Sequence, residues 1–233
     1  MRPARVLLAA FALTAAVDLI SLAVGSDTGH ALAKPFLMPL LAAHADLRGA
    51  PRLLLAALLL GWAGDVLLLS DADPAFLAGM ASFAAGHVCY LALFRTYGGQ
   101  DRTPNGPPRA RAAPGRLAGA YALALVGMLT VLWSGLPAEL RVPVAGYSLL
   151  LTAMAYRATA LGLLAGTGGA LFLVSDTLIA TGVADLPQLP APDFWIMLTY
   201  LAAQSLLTCG VLAAAGTATP PPVTSSGSAP ATR

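Results

Sequence analysis

Residues 52–70 read RLLLAALLLGWAGDVLLLS, an apolar stretch that begins at an arginine and holds one carboxylate, Asp65. A helix needs about 20 apolar residues, or about 17 at the short end, to cross the hydrocarbon core of a bilayer. Seven other stretches of similar character lie along the chain. The sequence therefore predicts an all-α, polytopic membrane protein, a bundle of about eight transmembrane helices. The predicted spans lie near residues 5–24, 31–46, 52–70, 75–95, 116–134, 140–157, 163–182 and 193–214.

The composition supports this fold class and excludes others. Of the 233 residues, 58% are hydrophobic and only 10% are charged, and a soluble domain of this length cannot bury so much apolar surface in one core. The formal net charge of +2 argues against a nucleic-acid partner. We expect one transmembrane domain over residues 1–215, with a polar, proline-containing linker at 97–115 and a disordered tail at 216–233.

The distribution of basic residues predicts the direction of the spans. If the N-terminus is cytoplasmic, eleven arginines fall in the inside segments and only Arg141 falls outside. Basic residues are enriched in the cytoplasmic loops of membrane proteins, and one missing span would invert half of the loops. The sequence therefore predicts a multi-pass protein of the cell inner (plasma) membrane with both termini cytoplasmic.

A few ionisable side chains interrupt the apolar spans. Each charge near the bilayer centre costs about 2.5–3.5 kcal/mol on insertion scales, so such residues usually have a function or a partner. The predicted directions place Asp65 and Asp176 at the middle or in the outer half of the bilayer, and Lys34 near the outer end of its span. The ionisable residues within the predicted spans are Asp18, Lys34, Asp65, Asp176 and His87.

Other polar side chains fall at a similar depth on the fourth and eighth predicted spans. His87 and Tyr90 are three residues apart, and Tyr200 and Gln204 are four apart, so each pair shares one helix face. Five helices thus place a polar group at about the same depth. This convergence predicts one polar pocket that opens towards the outer leaflet.

A short internal repeat relates the two halves of the chain. Residues 64–68 read GDVLL and residues 175–179 read SDTLI, and they lie on the third helices of two four-helix halves. Glycines precede both aspartates, and small residues let membrane helices approach closely. We expect a pseudo-symmetric bundle that draws one aspartate from each half towards the other.

Several of these residues also have a structural interpretation. Lys34 can snorkel to the outer interface and pair with an acid there, and Asp18 can form a structural pair. A lone His87 is often a hydrogen-bonded core residue, and Tyr147 and Tyr200 can belong to an aromatic belt.

No metal site is evident in the sequence. A divalent metal needs several convergent ligands, and His30, His44 and His87 are spread over loops and one helix. A metal bound by Asp65, Asp176 and His87 stays an alternative, but no cofactor is expected.

The order and spacing of several short motifs carry a family resemblance over about residues 30–212. The motifs are Lys34-Pro35 with Pro39, then GDVLLL at 64–69, Phe76-Leu77-x-Gly79 with Phe83, His87 and Tyr90, Tyr147 with Met154, GALF at 169–172 with Ser175-Asp176, and Tyr200-x-x-x-Gln204. This pattern resembles the YhhN-type lysoplasmalogenase family of transmembrane alkenyl-ether hydrolases.

The resemblance implies hydrolysis of the vinyl-ether bond of a lysoplasmalogen to a fatty aldehyde and a glycerophospho-alcohol. Such hydrolysis begins with proton delivery to the enol-ether carbon, and paired carboxylates suit this task because one can supply the proton and the other can stabilise the cation. Asp65 and Asp176 are therefore the candidate catalytic residues, and which one donates stays open. The candidate substrate-binding residues are Lys34 for the phosphate, with His87, Tyr90, Tyr147, Tyr200 and Gln204 for water or glycerol.

The expected partner is therefore a single-chain ether lysophospholipid within the membrane. Two other functions remain compatible with the sequence. Acidic pairs and a lysine inside spans are also used by small proton-coupled transporters, although the chain lacks an obvious pair of broken helices. A non-enzymatic lipid-binding membrane protein is the second alternative.

Overall fold

The computed structural model describes residues 3–70, 72–98 and 114–217, and these form an all-α bundle without strands. Each predicted span overlaps one helix, and the fold class predicted from the sequence is confirmed. Most of the predicted linker 97–115 and of the predicted tail 216–233 lies outside the described residues. The helices are α1 (Pro3–Ala23), α2 (Asp27–Asp46), α3 (Arg52–Leu67), α4 (Asp73–Tyr97), α5 (Pro114–Leu132), α6 (Ala138–Ala158), α7 (Leu163–Val183) and α8 (Pro192–Thr217).

Five of the eight helices are long and apolar enough to cross a membrane on their own: α1, α4, α5, α7 and α8. Helix α3 has only 16 residues, since it ends at Leu67, and α2 carries acidic, basic and histidine side chains. Helices of this kind are tolerated in a bilayer where they pack against other helices instead of facing lipid.

The burial pattern is the reverse of that in a water-soluble protein. Large apolar side chains cover the outside of the bundle, for example Leu13, Ile20 and Leu123, which are 63–74% exposed. Charged and amide side chains lie inside it. An apolar outer surface of this extent requires a lipid environment. The buried charged, histidine and amide residues are Asp18, Lys34, His44, Asp65, His87 and Gln204.

The helices pack in a closed order. Along the chain, α1 packs on α2, α2 on α3 and α3 on α4, after which α4 packs on α6, α6 on α7 and α7 on α8. Helix α8 returns to α1 and also contacts α2, α3 and α4, while α5 lies outside, against α6 and α7. The space between α3, α4, α6, α7 and α8 therefore lies at the centre of the bundle.

Trp62 on α3 forms a hydrogen bond to α2 at a position where α2 lacks one of its own backbone hydrogen bonds. Pro39 has no N–H, so the carbonyl of Pro35 lacks its partner within the helix. The indole Nε1 of Trp62 donates to that carbonyl oxygen at 2.9 Å. This contact holds the segment that carries Lys34 against the helix that carries Asp65.

Glycine on α7 permits close contact with α8. A Cβ atom on Gly168 would lie 2.9 Å from the backbone nitrogen of Leu207 and 3.0 Å from the carbonyl oxygen of Ala203. Because these are backbone atoms, they cannot move aside without separating the helices. The close packing therefore depends on the absence of a side chain at this position.

We expect Gly168→Ala to lower the free energy of unfolding by about 1–3 kcal/mol, the usual cost of overpacking. Thermal unfolding in a mild detergent measures this as a lower midpoint. Gly127→Ala on α5 is the matched control, because a Cβ there meets no atom within 4 Å. A midpoint equally unchanged in both variants would contradict the packing argument.

Candidate active site

One hydrogen-bonded network begins at Asp176 on α7. The hydroxyl of Tyr147 on α6 donates to Oδ2 of Asp176, and Nε2 of His87 on α4 lies 3.0 Å from the same hydroxyl. Three helices thus contribute one group each to what we term the Asp176 network (Asp176, Tyr147 and His87).

The Asp176 network has an unsatisfied end. His87 is 1% exposed, and its Nδ1 has no hydrogen-bond partner among the described residues. When Asp176 is ionised, Tyr147 donates to it and Nε2–H of His87 donates to Tyr147. When Asp176 is protonated, the direction reverses and Nε2 accepts. The tautomer of His87 therefore follows the protonation state of the carboxyl group.

In a second network, each hydrogen bond is donated in the direction of Asp65 on α3, where the network ends. Tyr90 donates to Oε1 of Gln204 at 2.7 Å, and Nε2 of Gln204 donates to the hydroxyl of Tyr200 at 3.3 Å. Tyr200 then donates to Oδ2 of Asp65 at 2.7 Å. In this Asp65 network (Asp65, Tyr200, Gln204 and Tyr90) the carboxyl group of Asp65 is the final acceptor.

Two phenylalanines separate the networks. The ring of Phe172 lies edge-on to His87 at a centroid distance of 4.8 Å and to Tyr200 at 5.5 Å. The ring of Phe83 lies 6.4 Å from Phe172 and 6.0 Å from Tyr200. A Cβ on Gly64 would lie 2.5 Å from the Phe83 ring, so the glycine before Asp65 makes room for this ring.

The expectation that one aspartate from each half approaches the other stays a prediction, since the two carboxyl groups belong to separate networks.

An apolar cavity adjoins the Asp176 network, since Asp176 and Tyr147 both line it. It has a volume of about 50 Å³ and lies between the end of α3 and helices α4, α5, α6 and α7. Its wall is mostly Leu, Met, Phe and Val side chains, with Asp176 and Tyr147 among its few polar groups. We term this space the inner cavity. Among the described residues, Asp176 is the one carboxylic acid on its wall, and Asp65 does not line it.

A larger and more polar chamber adjoins the inner cavity. This outer chamber has a volume of about 520 Å³, and Lys34, Asp73, Gln188 and Asp193 contribute to its wall. The α3–α4 and α7–α8 connections both border it. The two spaces share the side chains Leu68, Phe76, Ile179 and Val183.

The shared wall explains the internal repeat. Leu68 follows Asp65 by three residues and Ile179 follows Asp176 by three, so each lies one helical turn above its aspartate. Leu68 and Ile179 hold the same position in the two copies of the repeat, and both belong to the wall that the two spaces share. We term this shared wall (Leu68, Phe76, Ile179 and Val183) the neck, and each aspartate precedes it by about one turn.

Lys34 lies on the wall of the outer chamber, in the third turn of α2. Its side chain is 8% exposed, and no described residue forms an ion pair with it. The alternative in which Lys34 pairs with an acid at the interface has no partner in the described part of the chain.

Asp18 has a different environment. It is fully buried, and its Oδ1 lies 2.8 Å from Nδ1 of His30. It lines neither the inner cavity nor the outer chamber. This geometry agrees with the structural interpretation of Asp18.

Of the candidate residues from the sequence, Tyr147 and Asp176 line the inner cavity and Lys34 lines the outer chamber. The others belong to the two hydrogen-bonded networks or line neither space, so the candidates do not share one polar pocket. His87 and Tyr90 share a helix face, yet they belong to separate networks. Tyr147 and Tyr200 are hydrogen-bonded to carboxylates, which differs from an aromatic-belt role. Within the described ranges, no group of three or more His, Cys, Asp or Glu residues is arranged to hold a metal.

Sequence reasoning missed the polar wall of the outer chamber. Asp73, Gln188 and Asp193 lie at or between helix ends, where acidic and amide residues are common and carry no signal by themselves. The inner cavity was also missed, because its wall consists of ordinary apolar residues from five helices.

Comparisons with known proteins identify relatives of this chain. The model of the YhhN family matches residues 29–211. The chain is 35% identical over 164 residues to lysoplasmalogenase TMEM86B of Homo sapiens, which covers 70% of this chain and 65% of that protein. It is 36% identical over 155 residues to lysoplasmalogenase TMEM86B of Sus scrofa, which covers 66% of this chain and 61% of that protein. The chain thus spans slightly less than two thirds of these relatives. No solved structure matches.

Proposed function

Because the chain belongs to the YhhN family, we propose that it is a membrane hydrolase that cleaves the vinyl-ether bond of a lysoplasmalogen. The products are a fatty aldehyde and a glycerophospho-alcohol. The relatives named lysoplasmalogenase support this proposal. The observation that carries it is the position of Asp176, on the wall of an apolar cavity that adjoins a chamber with an unpaired lysine.

The two spaces match the two ends of a single-chain lipid. The apolar wall of the inner cavity suits the part of the alkenyl chain next to the vinyl ether, and Lys34 in the outer chamber suits the phosphate. In a lysoplasmalogen the vinyl ether joins the glycerol to the alkenyl chain. The bond to be cleaved therefore lies at the neck, about one turn above Asp176.

Asp176 is the proton donor in this proposal. Its carboxyl O–H bond breaks, and a C–H bond forms at the vinyl-ether carbon that is not bonded to oxygen. This step leaves an oxocarbenium ion. Water adds to the cationic carbon and returns a proton to Asp176, and the resulting hemiacetal collapses to aldehyde and alcohol. Positioned general acids of this kind contribute about 10²–10⁴-fold to the rate.

We assign the opposite charge to Asp65. Tyr200 donates to its carboxylate, and Asp65 does not line the inner cavity, whereas Asp176 does. A fixed negative charge close to the oxocarbenium ion stabilises the transition state more than the neutral substrate, which is the requirement for catalysis. The division of roles between the two aspartates thus rests on their positions relative to the inner cavity.

The Asp176 network assists the return of the proton. Tyr147 donates to the carboxylate of Asp176, and Nε2 of His87 lies within hydrogen-bond distance of the Tyr147 hydroxyl. These two contacts orient the Asp176 carboxyl group for the return of the proton.

The proposed location is the inner (plasma) membrane, with both termini cytoplasmic. The arginine distribution supports this orientation, since eleven arginines then lie in inside segments. The outer chamber, bordered by the α3–α4 and α7–α8 connections, then faces the outer leaflet. Single-chain lipids of that leaflet are the proposed partners.

A matched pair of substrates tests the proposed function. Purified protein in detergent is incubated with an alkenyl lysolipid and with the alkyl lysolipid of the same chain length and headgroup. We expect aldehyde from the alkenyl lipid alone. Aldehyde from neither lipid would overturn the proposal, and substrate-dependent flux in proteoliposomes without turnover would support a transporter instead.

A further inference from the structure

The outer chamber carries charges of both signs. Lys34 contributes a cation, and Asp73 and Asp193 contribute two carboxylates from the first turns of α4 and α8. The phosphate of a lysolipid can bind Lys34, but it provides no partner for the two carboxylates. The two acids have no task in the proposed reaction, and they would repel the phosphate if nothing positive lay between them.

Lys34 marks this chamber as a binding site. Its side chain is more than nine-tenths buried and lines the chamber, yet none of the described residues pairs with it. Its ammonium group is not among the fully buried polar atoms that lack a partner, so it is accessible from the chamber, where a charge-assisted contact to an anion is favourable. Such a group is therefore expected to have an anionic ligand.

The carboxylates lie on the same wall but on different elements from the lysine. Lys34 belongs to α2, whereas Asp73 and Asp193 begin α4 and α8. Both acids are exposed, and neither forms an ion pair with a described residue. A ligand that satisfies all three groups needs an anion and a cation within one small headgroup.

We propose that Asp73 and Asp193 bind the ammonium group of a zwitterionic lysophospholipid headgroup while Lys34 binds its phosphate. This inference rests on the proposed function for the orientation of the lipid. It makes the two aspartates specificity-determining residues that favour zwitterionic over anionic headgroups.

The acids also have a structural role that must be separated from this one. A carboxylate in the first turn of a helix stabilises that helix through its dipole. Loss of that role lowers stability but affects lipids with different headgroups equally. Discrimination between headgroups is therefore the informative measurement.

The test measures binding of uncleavable alkyl-ether lysolipids that differ only in the headgroup, phosphoethanolamine or phosphoglycerol. We expect the full chain to bind the ethanolamine lipid about tenfold more tightly, with about threefold from each acid, as is typical of solvent-accessible charge pairs. The double variant Asp73→Asn, Asp193→Asn should then bind both lipids with similar affinity.

Two further variants make the result specific. Asp27→Asn removes an exposed acid from the first turn of α2 that lies off the chamber, so the tenfold preference should persist. Lys34→Gln should weaken binding of both lipids equally. A preference that survives in a folded double variant, or that is absent from the unaltered chain, would overturn the inference. Because binding is measured without turnover, failure of the proposed hydrolysis is recognised separately.

Discussion

Replacement of Asp176 by asparagine is expected to lower turnover of an alkenyl lysolipid by about a thousandfold. The amide has the same shape and keeps a hydrogen-bond acceptor for Tyr147, but it cannot deliver a proton to carbon. Asp65→Asn should lower turnover by about a hundredfold, since it removes the counter-charge and leaves the donor in place. Aldehyde release per mole of folded protein measures both effects.

Asp18→Asn is the matched control for these variants. Asp18 is also a buried carboxylate within a span, but it pairs with His30 and lines neither cavity. Turnover per folded molecule should therefore stay close to that of the unaltered chain. Near-normal activity in Asp176→Asn would contradict the assignment of the proton donor.

The second large effect is expected for Tyr147→Phe. This change removes the hydroxyl that joins Asp176 to His87 and leaves the aromatic ring in place. Hydrogen bonds to charged groups contribute about 1.5–3 kcal/mol, so we expect kcat to fall by about 10–100-fold while KM changes little.

Tyr121→Phe provides the comparison for Tyr147→Phe. Tyr121 packs edge-on against Tyr156 at a centroid distance of 6.0 Å, lies on α5 and lines neither cavity. Loss of its hydroxyl should leave kcat unchanged. Equal kcat values for Tyr147→Phe and the unaltered chain would show that the hydroxyl does not assist Asp176.

The sequence predicts the helices of this protein well, because bilayer spans require long apolar stretches that are visible without any tertiary information. The stretch 52–70 illustrates both the strength and the limit of this reasoning. It identifies a helix and its anomalous Asp65, but α3 ends at Leu67. The last residues of the stretch instead form the neck and part of the outer chamber, as Leu68 and Ser70 do.

The candidate residues could also be found from the sequence, because a buried carboxylate in a span is costly and therefore conspicuous. Their connections could not. That Tyr147 bonds Asp176 while Tyr200 bonds Asp65 depends on how α6 and α8 pack beside α7 and α3. The sequence leaves the proton donor open for the same reason, since the two aspartates differ in their partners and not in their local motifs.

The internal repeat acquires a physical meaning from the packing. Its two copies contribute equivalent residues to the neck, Leu68 and Ile179, but non-equivalent surroundings to Asp65 and Asp176. One carboxyl group faces the inner cavity and the other is buried behind it. A pseudo-symmetric frame thus supports an asymmetric pair, which is what the division into acid and counter-charge requires.

The most direct test of this account is the solvent isotope effect on hydrolysis. Purified protein is assayed for kcat/KM with an alkenyl lysolipid in H₂O and in D₂O at matched acidity. If a buried carboxyl group transfers its proton to carbon in the slow step, kcat/KM is lower in D₂O. Equal values of kcat/KM in the two solvents would contradict proton transfer from Asp176 to carbon as the slow step of the reaction.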